Sequence, residues 1–370
     1  MAAVPWFEIA DVESLDTPAL AIYLERVKKN IRTFVGSIDD VSRLRPHIKT
    51  HKSPEISAMM QEAGITKFKC ATIAEAEMLG SIEARDVVLA YQPVGPKAKR
   101  LLTLVKKFPA TKFSSLIDNP EIASRISEIF AREQTALPVF IDLNVGMNRT
   151  GIVPEDALDL YEHCKKLPGI EVVGLHVYDG HIRDRDLGIR KRRCDESFTK
   201  VETLKQQIKV SANKELTIIA GGTPTFSVHS KRKGIECSPG TFVYWDKTYE
   251  EILIEQHYLP AALVVTRIIS KPSPNVICID LGHKSIASEN ALDKRVFFVN
   301  AKNLQPIGHS EEHMVFSVED DSNFEVGDVL YGVPYHVCPT VALHDKAYII
   351  ENNRLAKYWE TLARNRKITI

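Results

Sequence analysis

Nowhere in the sequence do eighteen apolar residues run together, and the N-terminal stretch "MAAVPWFEIADVESLDTPAL" has no basic start followed by a long apolar segment. Neither export nor a membrane association is expected on that pattern, and the cytoplasm is the expected compartment. Net charge is missing as well. Forty-eight basic and 48 acidic side chains cancel, so no overall field recruits nucleic acid or an anionic membrane. Paired cysteine spacing is also absent. Cys70, Cys164, Cys194, Cys237, Cys278 and Cys338 are scattered, which fits reduced thiols and argues against a disulfide frame. No internal repeat, low-complexity tract or long linker occurs. What remains is a 370-residue chain, 44% hydrophobic, long enough for two domains with ordinary cores. Its expected partners are small molecules and a second copy of itself.

From about Thr17 to Asp246, short apolar runs alternate with amphipathic ones: "PALAIYL", "LRPHIK", "KFKCA", "DVVLAY", "KFSSLI", "LPVFIDLN", "EVVGLHVY" and "LTIIAGG" are each followed by helix-like or polar sequence. Such alternation predicts parallel strands joined by crossover helices. Eight strands suit a closed (β/α)8 barrel of the TIM type better than an open doubly wound sheet. In a barrel the chemistry lies at the carboxyl ends of the strands, where Lys49, Asn144, Tyr178 and Gly221 fall. After Asp246 the texture becomes β-rich, with runs such as "NVICIDLG", "HMVFSV" and "KAYIIENN", which predicts a C-terminal antiparallel β domain. The expected division is residues 16–248 for the barrel and 249–370, with 1–15, for the β domain.

One strand-like run, in "RLRPHIKTHKSPE", ends in a lysine. A lysine at a strand end is either a surface charge or an amine that condenses with a carbonyl. Its companions favour the second. "IAGGTPTF" and "CSPGTFVYWD" place glycines and threonines after strands, where backbone N–H groups and hydroxyls can surround a phosphate. "GMNRTG" adds Arg149 at another strand end. An amine, phosphate-type loops and a cation are what pyridoxal phosphate requires.

Taken in order, "RPHIKTHK", "GMNRTG", "GLHVYDGH", "GGTPTF", "SPGTFVYWD", "SEEH" and "HVCPT" resemble the D-threonine aldolase and D-serine dehydratase family. The likeness runs from Asp16 to Asn353. It implies an alanine-racemase-type barrel followed by a β domain, with pyridoxal 5'-phosphate as cofactor. Lys49 would be the Schiff-base lysine, Arg149 would face the cofactor's phenolate oxygen, and Tyr178 would lie beside its ring. Gly221, Gly222, Thr223, Gly240 and Thr241 would hold its phosphate. His47 and His51 flank Lys49 at alternating positions, and His47 joins the catalytic set.

"GVPYHVCPTVAL" puts His336 and Cys338 two apart, on one face if the segment is extended. Two such ligands can hold a zinc-like divalent ion and leave positions open. The resemblance places the family's metal in this segment; zinc is expected, with manganese or magnesium as alternatives.

The activity expected from the resemblance is D-threonine aldolase-like cleavage of a β-hydroxy D-amino acid. The alternative is D-serine dehydratase chemistry, towards which the cysteine ligand leans. The family's aldolase histidine, six residues past the tyrosine, is Asp184 here, which leaves two alternatives: His181 substitutes as the base, or the aldolase reading fails. An amino-acid racemase is demoted because racemases of this barrel carry arginine just before Pro-Gly, where this chain has Ser238. A non-catalytic cofactor carrier would need neither the β domain nor the metal pair. A homodimer is expected from relatives of the fold.

Overall fold

The structure, a computed structural model, describes residues 4–370. Seven short parallel strands form one curled sheet: β2 (Lys67–Cys70), β3 (Asp86–Leu89), β4 (Lys112–Ile117), β5 (Leu137–Leu143), β6 (Ile170–Val177), β7 (Thr217–Ala220) and β8 (Ile235–Cys237), hydrogen-bonded in that order. The gap between β8 and β2 is filled by residues 44–47. Leu44 bridges Cys237 and His47 bridges Lys69, both in parallel. The N–H groups of Arg45 and His47 donate to Cys237 and Pro239 carbonyls, and Lys69 N–H donates to Pro46 O, each at 2.9 Å. This stave is irregular because Pro46 has no N–H to give to a ladder. With it the barrel closes on eight staves.

The run "PALAIYL", expected as the first barrel strand, is not one of them. It contains β1 (Ala19–Tyr23), which pairs antiparallel with β9 (Ala262–Ser273) and parallel with β15 (Lys346–Glu351). All five β1 residues are buried, as suits a central strand covered on both faces. The missing barrel stave is β8, only three residues long. The second, nine-stranded sheet runs β12 (Gln305–His309), β13 (Met314–Ser317), β10 (Val276–Ile279), β9, β1, β15 and β16 (Arg354–Glu360). Off this path, β14 (Val329–Pro334) pairs with β9 and with β11 (Val296–Phe298). Its ladders are antiparallel except β1 with β15. Among the described residues no helix is long and apolar enough to cross a membrane.

Helix starts at the strand ends follow from capping residues. Ser53 Oγ accepts the Ile56 N–H at 3.2 Å ahead of Pro54, and Thr72 Oγ1 accepts the Glu75 N–H at 3.0 Å. Asn119 and Asp186 cap the helices Pro120–Ala131 and Leu187–Ala212 in the same way. Each cap satisfies an N–H that the first helical turn leaves without a partner.

Inside the barrel, Val88, Leu116, Phe140 and Ile219 make an apolar layer separate from the main core between strands and helices. Near the strand starts the interior is ionic. Arg45, 2% exposed, donates to Glu236 at 2.7 Å and through both terminal nitrogens to Asp86 at 2.6 and 3.1 Å. Lys67 also pairs with Glu236. Two cations and two anions balance there, which is how buried charge is tolerated.

Candidate active site

Lys49 sits where the 44–47 stave turns into a short 3-10 segment, Ile48–Thr50. It lines a cavity of about 260 Å³ at the carboxyl ends of the strands, together with His47, Arg149, Tyr178, Gly222, Thr223, Gly240, Thr241, His336 and Cys338. Ser238, Asp246, Tyr249 and Arg183 complete its charged and polar wall. No ion pair involves Lys49 among the described residues. His47 Nδ1 accepts the Lys49 backbone N–H at 3.3 Å. That bond leaves the proton on Nε2, so His47 is a donor toward the cavity and not a base. Burial, then the Lys49 and Lys69 charges, holds its pKa well below the usual histidine value.

The two glycine–threonine loops meet at a single hydroxyl. Thr223 Oγ1 accepts the N–H groups of Gly240 at 3.2 Å and Thr241 at 3.1 Å, so its own hydrogen remains available to donate. A Cβ at Gly240 would lie 2.6 Å from the His47 carbonyl oxygen; this glycine lets the β8 loop press against the stave that carries Lys49. Gly221 has φ +74° and turns the end of β7 without lining the cavity.

Beneath the cavity lies a buried chain of polar groups that sequence reasoning missed. Lys69 Nζ is 3.4 Å from His176 Nε2, and His176 Nδ1 is 2.7 Å from Asp142. With Nδ1–H donating to the carboxylate, Nε2 accepts from Lys69. All three residues are buried. Burial, then the Lys49 charge, lowers the Lys69 amine to about 7 against the pull of Asp142 and Asp179. Lys69 Nζ also stands 5.7 Å from the Tyr178 ring centroid, and the Arg149 guanidinium 5.0 Å from it. The signal was present in "KFKCA": in a barrel strand that alternates, Lys67 and Lys69 share the inward face.

His336 and Cys338 meet, but not on an extended segment. Cys338 lies in the helix Val337–Leu343, and His336 is its N-cap at φ −136°, ψ 96°. The extended cap residue swings the imidazole back to the thiol. Burial raises the Cys338 thiol, yet the His336 hydrogen bond and the Lys49 charge outweigh it and the net shift is downward. His336 is raised to about 9: burial opposes the charge, while the hydrogen bonds its ring donates to Cys338 and Glu289 favour it. Thr50 Oγ1 lies 3.2 Å from Cys338 Sγ, tying this pair to the residue after Lys49. Asp246, fully buried at the cavity wall, is raised to about 6 by burial against the Tyr249 and Val337 N–H groups.

His181 stands outside this assembly. Its Nε2 would meet a Cβ on Gly146 at 2.9 Å, so the imidazole props the loop bearing Arg149 and does not line the cavity. Asp184 is paired with Arg193 at 2.6 Å. Asp179, Cys194 and His229 form a compact buried group of ligand-type side chains. His229 Nε2 and Asp179 Oδ2 are 2.7 Å apart, however, a direct hydrogen bond and closer than the roughly 3.3 Å between two tetrahedral ligands about 2 Å from one ion. Thr225 Oγ1 donates to the other Asp179 oxygen at 2.6 Å. The trio therefore braces the Gly221–Thr225 turn against the end of β6.

Comparison with known proteins identifies relatives of both halves of the chain. The family model described as alanine racemase, N-terminal domain, matches residues 22–248, and that described as putative serine dehydratase domain matches residues 261–350. A D-threonine aldolase of Arthrobacter sp is 29% identical over 362 residues, covering 95% of this chain and 93% of the relative. A D-threo-3-hydroxyaspartate dehydratase of Delftia sp. (strain HT23) is 24% identical over 379 residues, covering 94% and 98%. The crystal structure of D-threonine aldolase from Filomicrobium marinum superposes with a TM-score of 0.88 at 24% identity, covering 98% of this chain and 99% of that one. An alanine-racemase-type barrel followed by a serine-dehydratase-type domain, with relatives of both activities over nearly its whole length, places the chain in the D-threonine aldolase and D-serine dehydratase family.

Proposed function

We propose that this lyase uses pyridoxal phosphate and a divalent ion to cleave the Cα–Cβ bond of a β-hydroxy D-amino acid, giving glycine and acetaldehyde from D-threonine. The observation that carries the reading is convergence: the Lys49 amine, the two joined glycine–threonine loops and the His336–Cys338 pair share one cavity. The residues fit the cofactor. The tight Gly240 approach and the free Thr223 hydrogen suit a phosphate, Arg149 a phenolate oxygen and Lys49 an aldehyde. Pyridoxal phosphate, when bound, supplies an electron sink for a bond broken at the substrate's Cα.

The chain's own groups do the rest. Lys49 Nζ would hold the cofactor's aldehyde, and as a base its amine would take up or return a proton at the substrate's Cα. Tyr178, with the Arg149 guanidinium and the Lys69 amine near its ring, fixes one wall. His47 donates through Nε2–H. His336 and Cys338 would hold the ion, with a lowered thiol favouring zinc over manganese or magnesium. An ion held there would supply Lewis-acid lowering of the β-hydroxyl's pKa. The D configuration is taken from the relatives' names.

Cys338 itself favours a second reading, β-elimination, because zinc held by a thiolate can equally stabilise a departing hydroxide. Incubation with pyridoxal phosphate, zinc and D-threonine, followed by mass identification of the products, separates the two. Glycine with acetaldehyde is the expected result. 2-Oxobutyrate with ammonia would replace the aldolase by the dehydratase, and L-allothreonine, the product of inversion at Cα alone, would reopen racemisation.

A further inference from the structure

The cavity wall carries three cations of fixed type, Lys49, Arg149 and Arg183, against a single carboxylate, Asp246. The Asp246 carboxylate is already occupied by the N–H groups of Tyr249 and Val337. If Lys49 and Arg149 serve the cofactor, as proposed above, Arg183 is the cation left over. Its position is built by its loop: Nε donates to Gly180 O at 3.0 Å, two residues past Tyr178, which holds the arginine on the Tyr178 side of the cavity. No ion pair involves Arg183 among the described residues, although Arg190 and Arg193, further along the same segment, are paired with Glu255 and Asp184. Its charge also reaches the Tyr249 hydroxyl, where it opposes the upward push of burial. A guanidinium with its Nε fixed still presents two terminal nitrogens, the fork that a carboxylate accepts in two parallel hydrogen bonds.

We propose that Arg183 is the substrate-anchoring residue of this site and that it binds a carboxylate of the amino acid. This rests on the lyase reading for the identity of the ligand, but its test does not depend on turnover. A carboxylate can come from two places in a D-amino acid, the α-carboxylate or an acidic side chain, and the same fork suits both.

The experiment titrates the pyridoxal-phosphate-loaded enzyme with D-alanine and, separately, D-aspartate, following the visible absorbance of the cofactor, for the parent, Arg183→Met and Arg183→Lys. Loss of one charge-assisted, two-pronged contact weakens binding roughly 10- to 100-fold. If the α-carboxylate is held, both amino acids weaken in Arg183→Met. If the side-chain carboxylate is held, D-aspartate alone weakens, and the natural substrate carries a second acid group. Arg183→Lys recovers part of the affinity in either case, which loss of the Gly180 contact alone would not produce. Unchanged affinities for both amino acids would overturn the proposal. A parent that binds these amino acids yet cleaves no β-hydroxy D-amino acid would overturn the lyase chemistry and leave the anchor standing. A parent whose spectrum responds to neither would overturn both.

Discussion

At the scale of single residues, the site depends on keeping several basic groups close together without water. Lys69 shows the cost. Its amine titrates near 7 in the folded chain and near 10.4 when unfolded, so between those values the unfolded chain binds the extra proton. Stability therefore rises with pH across that window, and the penalty is fullest below pH 7. Compared with Lys69→Met, the parent should gain stability from pH 7 to pH 10 in paired denaturant titrations; a constant difference between the two would show that Lys69 is not buried as a depressed amine. Ser238, buried at the cavity wall with its hydroxyl donating to Arg45 O at 2.9 Å, occupies the place where the resemblance leads one to expect arginine in a racemase. Arginine there would set a cation beside the electron sink, and Ser238→Arg should lower kcat by tenfold or more, about 1.4 kcal/mol in the barrier. An unchanged kcat would remove Ser238 from the argument.

At the scale of elements, what could be read from the sequence followed the strength of each local pattern. Strands β2 to β7 were legible because apolar runs alternated with amphipathic ones. The stave bearing Lys49 was legible from "LRPHIK" although Pro46 keeps it from being a regular strand. β1 was misplaced because "ALAIY" is equally apolar in a barrel or in the middle of an antiparallel sheet, and only its partners, Leu263 and Ala347 among them, decide. β8 was missed because "IEC" is three residues long and carries a charge. His336 and Cys338 were found from their spacing, but their meeting depends on an N-cap geometry that a strand-like reading cannot supply. Lys69 was overlooked because a lysine in a short strand looks like a surface charge until closure of the barrel turns that face inward. The loop geometry has its own test. Gly240→Ala forces a Cβ against the His47 carbonyl, at a cost of about 1–3 kcal/mol. The cofactor's dissociation constant should rise roughly tenfold or more by absorbance titration, and an unaltered constant would mean the β8 loop does not shape the cofactor site.

At the scale of the whole molecule, the barrel is an ionic scaffold at one end and an open cavity at the other, with the second sheet delivering His336 and Cys338 to that cavity. β14 leads into Tyr335 and His336, and Thr248 Oγ1 donates to Tyr335 O at 2.6 Å, fastening the strand's end beside the barrel. The ionic end should be costly to disturb. Glu236→Gln leaves Lys67 without its partner and Arg45 with Asp86 alone, and should lower stability by roughly 3 kcal/mol, the low end for a broken buried pair because Asp86 remains. Denaturant titration giving less than 1 kcal/mol would show the interior pairs to be incidental.

The central claim is that the cofactor aldehyde is taken by Lys49 and not by Lys69, whose amine lies 5.7 Å from the Tyr178 ring. Reduction of the pyridoxal-phosphate-loaded protein with borohydride makes the amine linkage permanent, and mass analysis of its peptides locates the added group. The account predicts the label on the peptide containing Lys49, with Lys69 unmodified. Label on Lys69, or on no lysine of the barrel, would contradict it.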